Sequence, residues 1–299
     1  MRAFVLTGAL IVAIGTAAAQ QGPAQYSREW YQQFSGAYSD PIEPFRIVGN
    51  IHYVGAVNIA SYLITTPQGH ILIDTGMNEM HDGIKRSVEK LGFKVADIKV
   101  MLSSHAHFDH IEGHAAMQRA TGAQVMAMRG DAEAFESGHD NSALGALGWE
   151  PVRVNRVLKH GDTVSLGGTT LRAIHVPGHT QGGTSWVTTV EDGGRPYRVM
   201  FQTGNTPNGG VPIFNNPRHK NVIEDARRSY KILKSEPAPD ISLGGHPQAA
   251  FAKTVDAMRK GVRPHPLLQD AGAWTTQLEN GEAALEKRVA EEKAKLGRT

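Results

Sequence analysis

The segment His105-Ala-His-Phe-Asp-His110 places four side chains that can bind a metal ion within six residues of chain. The apolar residues 99–103 before it are typical of a short strand, and residues 111–119 after it have the pattern of a helix. The segment is therefore predicted to be a turn from a strand into a helix, where a sharp bend can direct several side chains at one point.

The spacing within this turn favours two adjacent metal positions. Side chains two residues apart share one face of an extended chain, so His105 and His107 can face the same ion. Asp109 and His110 follow where the chain bends, and they can face a second position. Imidazole and carboxylate groups are ordinary zinc ligands, and packing alone would not require this combination.

Two further histidines occupy turns that directly follow apolar strands. His179 lies in Pro177-Gly-His-Thr180, and His246 lies in Gly244-Gly-His-Pro247. Glycine in such turns lets the backbone approach an ion closely. We expect His179 to join the first pair of ligands on one zinc ion and His246 to join the second pair on another. His114, four residues after His110, is expected to face outward from its helix, and the remaining histidines to lie at the surface or at the edge of the core.

Two zinc ions close together favour hydrolysis, because they can supply a bridging hydroxide at neutral pH and polarise a carbonyl group. The cofactor expected from the sequence is therefore Zn²⁺, two ions per chain. The chain contains no cysteine, which excludes thiolate ligands and a cysteine nucleophile. A Gly-x-Ser-x-Gly motif, which would indicate a serine nucleophile, is also missing from the sequence.

The chain has 299 residues and a formal net charge of +2, which is too small to favour nucleic acid as a partner. Its first residues have a different character: Arg2, an apolar run at 4–14 and then Ala17-Ala-Ala19. This pattern predicts a secretory signal peptide over residues 1–19. The run is shorter than the roughly 20 apolar residues of a membrane span, so no stable membrane insertion is expected after cleavage. Residues 20–299 are expected to form a single domain with a C-terminal helix.

Runs of alternating or apolar residues predict twelve β-strands, and helical spacing predicts helices between them. The pattern indicates two sheets packed face to face and covered by helices. Residues 26–43 are predicted to be an irregular arm over the domain, whose Trp30 either lines a pocket or packs on the body. The predicted strands are 45–48, 51–54, 61–65, 71–73, 99–103, 124–128, 154–158, 163–166, 170–176, 185–190, 197–202 and 241–243.

The three histidine turns, with Leu72-Ile-Asp-Thr-Gly76 before them, resemble the metallo-β-lactamase superfamily over about residues 45–246. The resemblance implies an α/β fold, the four-layer αβ/βα sandwich, in which two mixed β-sheets are covered by helices and a dinuclear zinc site lies at one edge. Gly178-His-Thr-Gln-Gly-Gly-Thr-Ser-Trp186 and Asn216-Pro-Arg218 are similar to class B β-lactamases of subclass 3. In that subclass, three histidines hold one metal and an Asp-His-His set holds the other.

The loop Thr203-Gly-Asn-Thr206 distinguishes branches of this superfamily. Glyoxalase II and many relatives carry Gly-Asp-Thr here, with an aspartate that bridges the metals, whereas this chain has Asn205. The resemblance therefore favours the lactamase branch, with Asn205 and Thr206 as candidate substrate-binding residues. Asp74, at the end of a strand, is the candidate for holding a ligand imidazole or the turn.

The resemblance implies a periplasmic, zinc-dependent β-lactamase that hydrolyses penicillins, cephalosporins or carbapenems, with Asp109 as the catalytic residue that orients the hydroxide. Its partner is then a small-molecule β-lactam, and we expect a monomer while leaving an oligomer open. Two alternatives remain at this point. One is an exported hydrolase of the same fold that acts on a lactone or ester, and the other is a non-catalytic zinc-binding protein of the periplasm.

Overall fold

The structure is a computed structural model that describes Ser27, Glu29, Trp30 and residues 39–145, 147–247 and 249–297. The predicted signal peptide, residues 1–19, lies outside the described residues, as does most of the predicted arm. Within the described ranges, no helix is both long enough and apolar enough to cross a membrane.

The first half of the chain builds a seven-stranded mixed sheet in chain order. Strands β1 to β4 form an antiparallel meander, and β4 to β7 run parallel to one another. The parallel strands run toward a common edge, so the turns that leave them come close together. The strands are β1 (Phe45–Val48), β2 (Ile51–Tyr53), β3 (Tyr62–Thr66), β4 (Gly69–Ile73), β5 (Ile98–Leu102), β6 (Gln124–Met128) and β7 (Arg156–Leu158).

The second half builds a five-stranded mixed sheet in the order β12-β11-β10-β9-β8. Strands β8 to β11 are antiparallel, and β12 joins β11 in parallel. The β10–β11 hairpin turns at Gly193 and Gly194, whose φ angles of 62° and 75° favour glycine. The strands are β8 (Thr163–Leu166), β9 (Thr169–His175), β10 (Thr184–Asp192), β11 (Arg195–Gln202) and β12 (Ile241–Gly244).

Of the seven helices in the described residues, six cover the outer faces of the two sheets, and α6 packs its Phe251 and Met258 into the cluster between the sheets. One buried apolar cluster lies between the sheets, a second lies between the seven-stranded sheet and α1–α4, and a third lies between the five-stranded sheet and the helices α5 and α7. The layers are thus helix, sheet, sheet, helix, and the fold predicted from the sequence is confirmed. The helices are α1 (His81–Lys90), α2 (Phe108–Ile111), α3 (His114–Thr121), α4 (Ala132–Ser137), α5 (Val222–Ser235), α6 (Ala249–Arg259) and α7 (Ala271–Lys295).

The prediction that His114 faces outward is wrong. Its side chain is fully buried, with Nδ1 2.7 Å from Thr75 Oγ1 and its ring edge-on to Phe135. The predicted helix began at residue 111, whereas the structure starts α3 at His114 and buries its first turn, His114, Ala115 and Met117, against the seven-stranded sheet. The polar character of His114 therefore does not indicate exposure here.

Candidate metal centre

The three predicted turns meet at one edge of the two sheets. The segment 105–110 follows β5, the turn of His179 follows β9, and the turn of His246 follows β12. Together they line a cavity of about 280 Å³, which we call the metal cavity. The described residues that line it are Trp30, Ser104, His105, His107, Asp109, His110, His179, Gln202, Thr203, Gly204, Asn208, Gly245 and His246.

His105, His107 and His179 form the first group of potential ligands. Their ring centroids lie 4.6 to 4.7 Å apart, and each ring offers a nitrogen within 4.8 Å of the others. These three rings stand nearly edge-on to one another, which is the arrangement expected around a shared centre rather than in a stack.

Asp109, His110 and His246 form the second group. His246 Nε2 lies 3.2 Å from His110 Nε2 and 3.5 Å from Asp109 Oδ2, and the last two atoms are 3.7 Å apart. The side chain of His246 is 50% exposed, so this position is the more open to solvent. His105 also lies close to Asp109 and His110, because the two groups adjoin at its ring.

Hydrogen bonds on the outer ring nitrogens set the tautomers of three of these histidines. Nδ1 of His179 lies 2.8 Å from the Thr206 carbonyl, and Nδ1 of His246 lies 2.9 Å from the Asn58 carbonyl. A carbonyl can only accept, so both Nδ1 atoms carry the proton and both Nε2 atoms present a lone pair. His110 Nδ1 is 3.0 Å from a carboxylate oxygen of Asp74, with the same consequence.

Lone pairs that face one another at 3.2 Å, as on neutral His110 and His246, repel unless a proton or a metal ion lies between them. His105 adds a further unmet requirement, because its buried Nε2 has no hydrogen-bond partner among the described residues. A buried polar nitrogen without a partner costs about 1–3 kcal/mol. A metal ion would satisfy all three nitrogens, and the donor set of imidazoles and one carboxylate suits zinc. The residues present therefore fit the metal that the sequence predicts.

Burial keeps the first group of histidines neutral. It lowers the pKa of His107 to about 4 and that of His179 to about 3, and it holds the pKa of His105 well below its usual value. Neutral imidazole is the form that binds metal. The carboxylates of Asp109 and Asp74 outweigh burial at His110 and raise its pKa, while the surrounding histidines outweigh burial at Asp109 and lower its pKa.

These shifts predict how the stability of the metal-free protein depends on pH. The pKa values of His107 and His179 are lower in the folded protein, so the unfolded chain binds more protons below about pH 6.5. The free energy of unfolding should therefore fall as the pH is lowered from 6.5 toward 4, with partial compensation from His110, Asp131 and Asp140, whose pKa values are raised in the folded protein. In chelator, we expect an unfolding temperature at least about 5 °C lower at pH 5 than at pH 7.5. An unchanged or higher value at pH 5 would contradict this expectation.

Asp74 makes the contacts that its predicted role requires. Its Oδ2 accepts hydrogen bonds from His110 Nδ1 at 3.0 Å and from Ser104 Oγ at 2.7 Å, and its Oδ1 accepts from Ser104 N at 2.7 Å. It is buried, and its φ of 58° lies in the left-handed region, which aspartate tolerates better than most residues. The carboxylate thus contacts a candidate ligand and the start of the ligand turn together.

Two glycines leave space for ligand rings. A Cβ at Gly245 would lie 2.8 Å from Cε1 of His110, and a Cβ at Gly204 would lie 3.0 Å from Cγ of His179. Any side chain at these positions would have to displace a ring from the metal cavity.

Asp131 connects two of the ligand turns, and the sequence reasoning did not identify it. Its Oδ2 accepts from Ala106 N at 2.8 Å and from Thr180 Oγ1 at 2.8 Å, and its Oδ1 accepts from Gly182 N at 2.6 Å. Ala106 lies between two candidate ligands and Thr180 follows a third, so one buried carboxylate ties both turns. The available signal was an aspartate just beyond the end of a strand, the same signal that singled out Asp74.

We expect Asp131→Ala to weaken zinc binding by about tenfold to a hundredfold, the range usual for groups that hold ligands in place. The reason is that three buried donors lose their acceptor and the two turns are no longer tied together. Competition with a chromogenic chelator measures the affinity, and Asp256→Asn, at an exposed position on α6, is the control. Zinc affinity equal to that of the control would show that the hydrogen bonds of Asp131 to the two turns do not contribute to metal binding.

The predicted substrate contacts at Asn205 and Thr206 are not among the residues that line the metal cavity. Asn205 lies beside Tyr230, and Thr206 contributes its backbone carbonyl to His179. The side chains that reach the cavity from this part of the chain are Thr203 and Asn208. Neighbouring loop residues differ in orientation, and the sequence pattern alone does not show which of them face inward.

Two other residues link the predicted loops to the cavity. Ser142 Oγ lies 3.0 Å from His107 Nε2, so the loop after α4 flanks the site. Trp30 lines the cavity from the predicted arm, which is one of the two roles expected for it.

The helix-sheet-sheet-helix layers and a histidine-rich edge together define a metallohydrolase class. A family model described as Metallo-beta-lactamase superfamily matches residues 54–192. The structure is similar to BJP-1, a subclass B3 metallo-beta-lactamase of Bradyrhizobium japonicum, with 36% sequence identity and a TM-score of 0.80 over 88% of this chain and 99% of that one. The chain belongs to the metallo-β-lactamase superfamily, as the sequence predicted, and is a hydrolase of that superfamily.

Two curated relatives carry other activities in their names. Hydroxyacylglutathione hydrolase of Rhodospirillum rubrum is 24% identical over 192 residues, which is 62% of this chain and 62% of that protein. N-acyl homoserine lactonase of a Bacillus species is 27% identical over 156 residues, 44% of this chain and 59% of that protein. The chain thus spans less than two thirds of the length of either curated relative.

Proposed function

We propose that this protein is a zinc-dependent β-lactamase that hydrolyses the amide bond of penicillins, cephalosporins or carbapenems. The observation that carries the proposal is the composition of the metal cavity, in which Asp109 is the one carboxylate among the described lining residues. The position of the bridging aspartate of glyoxalase II is occupied by Asn205, which is not among the residues that line the metal cavity. The similarity to BJP-1 over nearly the whole of that chain also supports the lactamase branch of the superfamily.

In this proposal, His105, His107 and His179 hold one zinc ion, and Asp109, His110 and His246 hold the other. The two ions would supply an activated water and polarise the β-lactam carbonyl. The Asp109 carboxylate, buried and ionised, accepts a hydrogen bond from the attacking water and orients it. Asp74 keeps the proton of His110 on Nδ1, so that Nε2 remains a ligand.

Substrate binding falls to the polar side chains around the cavity. Thr203 and Asn208 line it beside the ligand rings, and Trp30 supplies an apolar surface. We assign binding of the β-lactam carboxylate to Thr203 and Asn208, where the second zinc ion would also contribute. Asn205 and Thr206 then act through the loop backbone, which holds His179 at the hydrogen bond from its Nδ1.

The curated relatives favour a second candidate, hydrolysis of a lactone or thioester in the same cavity. Purified zinc-loaded protein should be assayed with nitrocefin, a penicillin and a carbapenem beside an N-acyl homoserine lactone and a hydroxyacylglutathione. We expect nitrocefin cleavage that stops with chelator and returns with zinc. Turnover of the lactone or thioester with no β-lactam cleaved would replace the proposal by the second candidate, and turnover of none would favour a zinc-binding role.

We also propose that residues 1–19 direct export to the periplasm and are removed, leaving one domain from residue 20 that works as a monomer on a small molecule. Mass spectrometry of the protein from a periplasmic fraction should give a mature chain that begins at Gln20. Recovery of the intact chain from the cytoplasm alone would contradict export.

A further inference from the structure

A second cavity, of about 370 Å³, adjoins the metal cavity, and we call it the side cavity. Gln202 and His246 line both cavities, so the two adjoin at these residues. The side cavity lies where β12 leads toward α6 and where α7 begins. The described residues around it are Tyr62, Gln202, Ser242, Gly244, His246, Pro247, Phe251, Leu267, Gln269 and Gln277.

The lining of the side cavity is uncharged and partly apolar. Tyr62, Phe251 and Leu267 provide apolar walls, and no Asp, Glu, Lys or Arg is among the described lining residues. The hydroxyl of Tyr62 donates to the Gly244 carbonyl at 2.6 Å, so that ring is fixed in place. A charged ligand group would lose its hydration here without gaining a partner of opposite charge, which makes it a poor occupant.

Glutamine amides supply the polar groups. Gln269 Nε2 donates to Pro239 O at 3.1 Å and to Ser242 Oγ at 2.9 Å, which leaves its Oε1 as an acceptor at the wall. Gln277 Nε2 donates to Gln202 Oε1 at 3.3 Å, which leaves the amide NH₂ of Gln202 as a donor between the two cavities. Either orientation of the Gln202 amide leaves one polar atom for a ligand. The cavity therefore suits a group that carries both a carbonyl and an N–H on an apolar body.

We propose that the side cavity is a substrate subsite that receives an uncharged acylamino side chain while the reacting bond lies in the metal cavity. The inference rests on the proposed β-lactamase function for the identity of the substrate. It assigns specificity to Gln202, which lines both cavities, and to Leu267, Gln269 and Gln277, which line the side cavity alone. Substrates with a bare amino group in place of the acylamino group would use the metal cavity alone.

The first test is independent of catalysis. N-methylphenylacetamide, an uncharged amide with an aryl acyl group, is titrated into zinc-loaded protein while the side-chain amide signals of the glutamines are followed by NMR. We expect saturable shifts at Gln202 and Gln269, and at least about fivefold weaker binding in the double variant Leu267→Ala/Gln277→Ala. Thr276→Ala, an exposed neighbour on α7 outside the cavity, should bind like the wild type. Absence of any shift at these glutamines in the wild type would overturn the subsite.

The second test compares benzylpenicillin with 6-aminopenicillanic acid, which share a nucleus and differ in the acyl group. In the double variant, we expect KM for benzylpenicillin to rise at least about fivefold. We expect KM for 6-aminopenicillanic acid, and kcat for both substrates, to stay within about twofold of the wild type. An equal change in both KM values would overturn the subsite and leave the β-lactamase function intact. Binding of the amide probe without hydrolysis of either penicillin would support the subsite and refute that function.

Discussion

Replacing Asp109 by asparagine should lower kcat for β-lactam hydrolysis by about 10³-fold even at saturating zinc. The carboxylate is buried, and the histidines around it outweigh the effect of burial and lower its pKa, so it is ionised at neutral pH. An amide has nearly the same shape but carries no charge, so it binds zinc weakly and no longer accepts a hydrogen bond from the attacking water with a charged oxygen.

The measurement is kcat and KM for nitrocefin in zinc-saturated buffer, with zinc content determined on the same samples. Asp82→Asn is the matched control, because Asp82 is exposed on α1 and pairs with Lys85 at 2.9 Å. It should retain wild-type kinetics and an unchanged unfolding temperature within about 2 °C. If Asp109→Asn held two zinc ions and kept kcat within tenfold of the wild type, the role given to this carboxylate would be refuted.

The second large effect is on stability, when zinc is removed. The ligand rings converge on one cavity, and the buried Nε2 of His105 has no hydrogen-bond partner among the described residues, so the folded chain should gain stability when zinc binds. Zinc at a thousandfold excess over its dissociation constant contributes about 4 kcal/mol per site, or about 8 kcal/mol for two sites. For a domain of this size, that difference predicts an unfolding temperature at least about 15 °C higher with zinc than in chelator.

Two histidine variants test whether this effect comes from the proposed ligands. His246→Ala removes a ligand from the more open position and should abolish about half of the zinc-dependent increase in unfolding temperature. His139→Ala removes an exposed histidine on the loop after α4 and should leave the increase unchanged. Equal unfolding temperatures with and without zinc in the wild type would mean that the cluster does not bind the metal tightly.

The periodicity of the sequence predicted much of this fold because burial imposes it. Strands such as β6 and β8 match their predicted bounds, since each is an apolar or alternating run bounded by turn residues. The six candidate ligands could be named because turns after strands concentrate histidines where few structural reasons would place them. The structure brings all six into one cavity, and their role as ligands remains a proposal that the experiments above test.

The parts that sequence reasoning missed depend on the direction of single side chains. His114 faces the interior because the first turn of α3 packs inward, and its polar residue type does not reveal that direction. Asp131 lies 25 residues from Ala106 and 49 from Thr180, so its first hydrogen bond needs β5 and β6 to be paired and its second needs the two sheets to be packed. The side cavity likewise combines residues from β3, β11, β12 and α7, which no local pattern relates.

The central claim is that three separate turns bring five imidazoles and one carboxylate around two zinc ions. Anomalous diffraction at the zinc absorption edge, from crystals of the zinc-loaded protein, tests it most directly. We predict two peaks in the metal cavity, one within bonding distance of His105, His107 and His179 and the other within bonding distance of Asp109, His110 and His246. A single peak, or peaks whose ligands exclude His179 or His246, would contradict the assignment of these six residues to two zinc ions.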